Sequence, residues 1–219
     1  MLYVFPMRLT KFGHACVRIE RDDTVVVIDP GMFTGAEAVQ GADAVLITHE
    51  HMDHFTEANL RAAVEANPGL RIWTNSAVAA QLDGIGARVT VVGEGDAFDI
   101  DGLGVSVHGE WHAVIHPDIP RVKNIGFLLD GSLFHPGDAL TLPPHAVETL
   151  LLPIGAPWTK VAELIDYTRE AGPGRAVAIH EAVLSEAGQM VHGRLLGEGG
   201  PGTGAPFSQL AAGESIELG

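Results

Sequence analysis

The chain has 219 residues, 46% of them apolar and 19% charged, a balance that supports a packed core and excludes a disordered chain. Its 13 Lys+Arg against 28 Asp+Glu leave a formal charge of −15, which repels phosphate backbones and anionic lipid and argues against nucleic-acid or membrane partners. Cys16 is the single cysteine, so no intramolecular disulfide can form. A buried structural thiol and a reducing, cytoplasmic setting are expected, because residues 1–9 lack the pattern of a secretion signal and no apolar run is long enough to span a bilayer.

In chain order, residues 7–12 and 15–20 alternate apolar and polar and read as two strands broken at Gly13-His14. A third strand, 24–28, follows the Asp22-Asp23 turn and ends at Asp29-Pro30-Gly31, completing an antiparallel meander. The run 44–48 is a fourth strand, and Thr56 is placed to cap an Ala-rich helix over 57–66 that Pro68-Gly69 stops. A strand at 71–74, a helix over 77–82 capped by Ser76, and strands at 88–92, 97–100 and 103–108 come next, the last two forming a hairpin across Asp101-Gly102. The second half repeats the theme. A hairpin pairs 125–129 with 132–134, a buried strand runs 148–152, and an amphipathic helix spans 160–170 with Val161, Leu164, Ile165 and Thr168 on one face. A strand at 175–179, a helix over 185–196, a Gly/Pro-rich loop at 197–206 and a terminal edge strand at 214–218 complete the chain. Antiparallel runs followed by alternating strands and helices, twice over, predict an α/β fold of four layers, an αββα sandwich. No composition break marks a linker, so residues 1–219 are read as one domain.

The chemistry is concentrated in His49-Glu50-His51-Met52-Asp53-His54, which follows the strand at 44–48. His side chains at i and i+2 point to opposite sides of a helix, so only a loop leaving a strand can bring this set to one place. Further metal-ligand residues stand where later strands end: His112, Asp138 and His180. His49, His51 and His112 are expected to hold one divalent ion and Asp53, His54 and His180 a second, with Asp138 bridging. His108 and His116 compete with His112, but one lies in a strand and the other precedes a proline in a turn. His192 competes with His180 from within a helix. Glu50 is not the base of an H-E-x-x-H site, because the residue four after His49 is Asp53.

In their order, the loop at 48–54, Glu110-Trp111-His112, His135-Pro136-Gly137-Asp138 and Ala178-Ile179-His180 resemble the metal motifs of the metallo-β-lactamase superfamily. Gly13-His14-Ala15, Val27-Ile28-Asp29-Pro30 and Leu151-Leu152-Pro153-Ile154-Gly155 resemble its L-ascorbate-6-phosphate lactonase-like hydrolase branch. The resemblance implies the αββα fold and a hydrolytic dinuclear site. It also draws His14 toward the pocket. Asp29 is expected to accept from a ligand imidazole or from the His-rich loop.

The cofactors expected are two divalent ions, zinc first, with manganese or iron as alternatives. Their nominal charge of about +4 against about −3 from Asp53, Asp138 and a bridging hydroxide leaves the site mildly positive on an acidic protein. The expected reaction is hydrolysis of a small ester, lactone or phosphodiester by hydroxide bridging the metals, with Asp53 as both ligand and proton acceptor. Arg121 and Lys123 are candidate contacts for an anionic group, and Trp111 and Trp158 candidate pocket walls. The partners expected are a small molecule and, at most, further copies of the chain. A nuclease of the same superfamily and a non-hydrolytic diiron or metal-binding module are the alternative readings.

Overall fold

The computed structural model describes residues 7–85 and 88–219, so most of the stretch 1–9, read as lacking a secretion signal, lies outside the described residues. β1 (Met7–Gly13), β2 (Cys16–Arg21) and β3 (Thr24–Ile28) form the antiparallel meander expected from their alternation. β4 (Ala44–Ile47) then adds in parallel, α1 (Glu57–Ala66) crosses over, and β5 (Arg71–Thr74), α2 (Ser76–Gln81) and β6 (Val89–Val91) extend the same sheet. The second sheet is built alike. β7 (Ala97–Ile100), β8 (Leu103–His108), β9 (Gly126–Leu129) and β10 (Leu133–His135) run antiparallel. After them β11 (Thr149–Pro153), α3 (Val161–Ala171), β12 (Arg175–Ile179), α4 (Glu186–Leu196) and β13 (Phe207–Ser208) continue in parallel. β14 (Ser215–Leu218) returns to pair antiparallel with β1, so the end of the chain covers an edge that would otherwise be open.

Three apolar clusters separate four layers. In β4, Ala44 and Leu46 face the partner sheet, whereas Val45 and Ile47 face Leu60 and Val64 of α1 and Val78 of α2. In β11 and β12, Leu151, Val177 and Ile179 join the cluster between the sheets, whereas Leu150, Leu152 and Ala178 pack with Leu164 of α3 and Leu196 of α4. A parallel strand buried on both faces needs a continuous apolar run, which is why these strands read so plainly in the sequence. Among the described residues no helix is long and apolar enough to cross a membrane. Cys16 is fully buried in β2, and burial pushes its thiol pKa up, as an inert structural thiol requires.

Local expectations differ from the structure at three places. Asn75, not Ser76, caps α2, because its amide oxygen accepts from the Ala77 and Val78 N–H groups at 2.8 and 3.1 Å. Thr56 stands at the start of α1, but its hydroxyl makes no capping bond. The Gly/Pro-rich loop continues into β13, a two-residue edge strand too short for any pattern to announce.

The ends of β3, β4, β10, β11 and β12 share one rim, and Gly31 sets how closely two of its loops approach. A Cβ on Gly31 would overlap the Asp53 carbonyl oxygen, far inside carbon–oxygen contact distance. Gly31→Ala is therefore expected to push the His-rich loop out and to destabilise the protein by about 1–3 kcal/mol. Urea unfolding would show this as a lowered midpoint at constant slope; an unchanged midpoint would contradict the close approach.

Candidate metal centre

Most groups at the rim are held by a partner that decides which atom faces inward. Asp29, directly after β3, adopts a left-handed backbone (φ +51) and is fully buried. Its Oδ1 accepts from the Thr48 N–H at 2.8 Å, and its Oδ2 accepts from the Thr48 hydroxyl and from His54 Nδ1, both at 2.7 Å. Because Thr48 donates its proton to Asp29, its oxygen is left to accept from His49 Nδ1 at 3.0 Å. His112 Nδ1 donates to the Ala113 carbonyl at 2.6 Å and His180 Nδ1 to the Gly155 carbonyl at 2.5 Å. With Nδ1 committed as a donor, each of these four imidazoles turns its Nε2 toward the interior, the nitrogen that a cation would bind in place of a proton.

The inward atoms converge. His49 Nε2 lies 3.1 Å from His51 Nδ1, and these two rings and His112 form one cluster of potential ligand atoms. Asp53, His54 and His180 form another together with His14, while Asp138 groups with His49 and His54. Asp138 lies between the two. Its Oδ1 is 3.1 Å from His54 Nε2, and its Oδ2 is 3.4 Å from His112 Nε2 and 3.1 Å from His180 Nε2. Despite these distances, His54 Nε2, His112 Nε2, His180 Nε2 and Asp138 Oδ1 are buried without an aligned hydrogen-bond partner. Buried polar atoms left this way carry a desolvation cost of about 1–3 kcal/mol each. Nitrogen and carboxylate donors aimed at a shared point fit divalent cations. All nine residues singled out in the sequence thus stand at one rim.

His14 behaves differently. It too has a left-handed backbone (φ +47); its carbonyl accepts from the His180 N–H at 3.0 Å, and its Nδ1 accepts from the Ala182 N–H at 3.2 Å. An accepting Nδ1 places the proton on Nε2, which donates to Asp53 Oδ2 at 3.1 Å. His14 therefore orients Asp53 and does not offer a lone pair. Several supporting contacts had no signal in the sequence. Asn124, fully buried, accepts from the Asp138 N–H and donates to the Pro136 carbonyl, both at 2.9 Å. Buried His135 bridges the Ala15 carbonyl and the Gly137 N–H, and Lys11, fully buried, pairs with Glu181 at 2.5 Å beside His180. Trp158, read only as a pocket wall, donates its indole N–H to Asp138 Oδ2 at 3.0 Å.

The competing residues lie elsewhere. His108 bonds to the Ser106 hydroxyl, His116 is exposed beside Asp118, and Glu50 accepts from Gln81. Arg121 donates through Nε to the His112 carbonyl, with its guanidinium 5.9 Å from the centre of the Trp111 ring. Lys123 sits 3.7 Å over that ring and pairs with Glu110.

Two mixed sheets with helices outside, and an H-x-H-x-D-H loop meeting a downstream His, Asp and His at the strand ends, define a metallo-β-lactamase-fold hydrolase. The Beta-lactamase superfamily domain model matches residues 8–180. Protein Rv0786c of Mycobacterium tuberculosis is 41% identical over 196 residues, covering 86% of this chain and 91% of that one. A UPF0173 metal-dependent hydrolase of Methanopyrus kandleri is 30% identical over 186 residues, covering 73% and 80%. The chain belongs to the metallo-β-lactamase superfamily and, within it, to the UPF0173 metal-dependent hydrolase family. In fold it is similar to a metallo hydrolase from Ignicoccus hospitalis, with a TM-score of 0.73, 22% identity and coverage of 98% of this chain and 99% of the other.

The electrostatics of the metal-free protein follow from the packing. Burial opposes a charge on His180, but Asp138 and Asp53 outweigh it and raise its pKa to about 9. For His54 the same contest, won by Asp138 and Asp29, ends well above the ordinary 6.5. Burial would raise Asp53 and Asp138, yet the neighbouring histidines hold both below 3.8. Burial keeps His49 and His51 neutral. Groups with raised folded pKa stabilise fully below 6.5 and lose that contribution as pH climbs through about 9; the depressed carboxylates lose theirs only as pH falls below 3.8. Chelator-treated protein should thus show a urea midpoint that falls between pH 6.5 and about 9, with a shallower fall in His180→Gln. A midpoint that is flat or rises over that range would refute the assignment.

Proposed function

We propose that this chain is a dinuclear metal hydrolase acting on a small ester, lactone or phosphodiester. The observation that carries the reading is the set of buried, partnerless atoms, His54, His112 and His180 Nε2 with Asp138 Oδ1, where each ring's Nδ1 is committed to a protein acceptor. His49, His51 and His112 would hold one ion and Asp53, His54 and His180 the other, with Asp138 shared. Zinc suits this imidazole-rich set best, and manganese or iron suits it next. Bound ions supply an acidified water and a positive charge beside the electrophile.

The chain's own residues do the rest. Asp53 Oδ2 is held by His14, and Oδ1, with no hydrogen bond to the described residues, is available to take a proton from an attacking water. Trp158 and Asn124 keep Asp138 from turning, and Trp158, its ring 5.9 Å from that of His112, closes one side against water. The lactone reading is supported by the branch resemblance at Gly13-His14-Ala15 and Val27-Ile28-Asp29-Pro30.

Elemental analysis with a panel of chromogenic lactones, esters and phosphodiesters tests the proposal. About two ions per chain are expected, falling to about one in His112→Ala, and chelation should abolish turnover. Asp53→Asn should lower kcat by about 10²–10⁴. Hydrolysis of RNA alone, or bound iron with oxygen consumption and no hydrolysis, would replace this reading with a nuclease or a diiron module.

A further inference from the structure

The hydrolase reading leaves the substrate class open, and the loops around the cluster bear on it. Large apolar side chains normally lie singly on a protein surface. Here they gather on the segments that carry the candidate ligands. Met52, between His51 and Asp53, is 64% exposed. Met32 and Phe33 are 51% and 44% exposed; the Met32 N–H donates to the Met52 carbonyl at 2.8 Å, and the Phe33 ring meets His14 edge-on at 5.0 Å. From the second sheet's loops, Ile119 is 48% exposed and lines a small cavity with His51, His112 and Arg121. Val183, three residues after His180, is 52% exposed.

The basic groups nearby each have a protein partner for at least one nitrogen. Arg121 is tied to the His112 carbonyl, Lys123 to Glu110 and Trp111, and Lys11 to Glu181. The mouth thus offers hydrocarbon contact on both sides of the cluster, with Lys123 and Lys11 paired to carboxylates and Arg121 held through Nε on the His112 carbonyl. A phosphodiester would bring a permanent negative charge to such a surface on a chain of net charge −15.

Resting on the hydrolase reading above, we propose that the substrate is an uncharged ester or lactone bearing a hydrocarbon chain. Met32, Phe33, Met52 and Ile119 would take up the chain while the scissile carbonyl lies at the histidine cluster. Water adds through oxygen to the carbonyl carbon, and the acyl C–O bond breaks. One water proton ends on the leaving alkoxide oxygen, and the other passes to solvent as the acid product ionises.

The test is a homologous series of acyl esters and lactones, run beside a diaryl phosphodiester on metal-loaded protein. Rates expressed as kcat/KM should rise about three- to fourfold per methylene until the chain outgrows the mouth. Phe33→Ser and Ile119→Ser, both at exposed positions, should flatten that rise. Calorimetric titration of metal-free protein with unreactive alkyl amides gives a second readout. Binding should tighten with chain length, with a negative heat-capacity change, and weaken in the two variants. Rates independent of chain length, preference for the phosphodiester, or burial of Phe33 and Ile119 under a second copy by sedimentation and cross-linking would overturn the proposal. A protein that hydrolyses none of these substrates fails the hydrolase reading, and the amide titration then decides the apolar site by itself.

Discussion

The buried carboxylate of Asp29 is the contact on which the site depends. A carboxylate removed from water is tolerable only when its oxygens are fully engaged, and Asp29 takes one hydrogen bond from the Thr48 backbone, one from the Thr48 hydroxyl and one from His54. Bonds of this charge-assisted kind are worth about 1.5–3 kcal/mol each. They join the end of β3 to both ends of the loop after β4, and they fix two imidazole tautomers at once, His54 directly and His49 through Thr48. A left-handed backbone at Asp29 is strained for a residue with a side chain, and these three bonds hold it in place.

The same arrangement recurs across the sandwich. His14 and His180, both left-handed, are linked by the His180 N–H to His14 carbonyl bond, so a turn of the first sheet and a strand end of the second are one unit. The Lys11–Glu181 pair reinforces that junction from the buried side. Ile125 donates its N–H to the Thr48 carbonyl at 3.1 Å, and Ala113 donates to the Asp138 carbonyl at 2.8 Å. Groups contributed by both sheets meet at the seam between them. The seam is therefore rigid on two sides, as convergent ligand atoms require. On a protein of net charge −15, this concentration of imidazole, with burial keeping His49 and His51 neutral, makes a local basin for cations inside an acidic surface.

Much of the fold was legible because its signals are local. Alternation located β1–β3, fully apolar runs located β4, β11 and β12, and the pairs Asp101-Gly102 and Asp130-Gly131 located the hairpins β7–β8 and β9–β10. The misses have local causes too. Asn75 outcompeted Ser76 because an amide oxygen one residue earlier reaches two N–H groups, and β13 is paired through only two residues. Asn124, His135 and Lys11 left no trace in spacing, since each acts through a partner far away in the chain: Asp138, Ala15 and Glu181.

Order and type of residue were enough to say that a loop of alternating His and Asp after a buried strand holds metal-ligand chemistry and that later strand ends supply more of it. Strand exits are set by hydrophobic pattern, and pattern is written along the chain. Which nitrogen of each imidazole faces the centre was decided only by tertiary structure. A tautomer is chosen by its hydrogen-bond partner, and for His54 and His180 that partner is Asp29 or the Gly155 carbonyl, each 25 residues away along the chain. The same reasoning turns His14 from one more imidazole into a donor that holds Asp53.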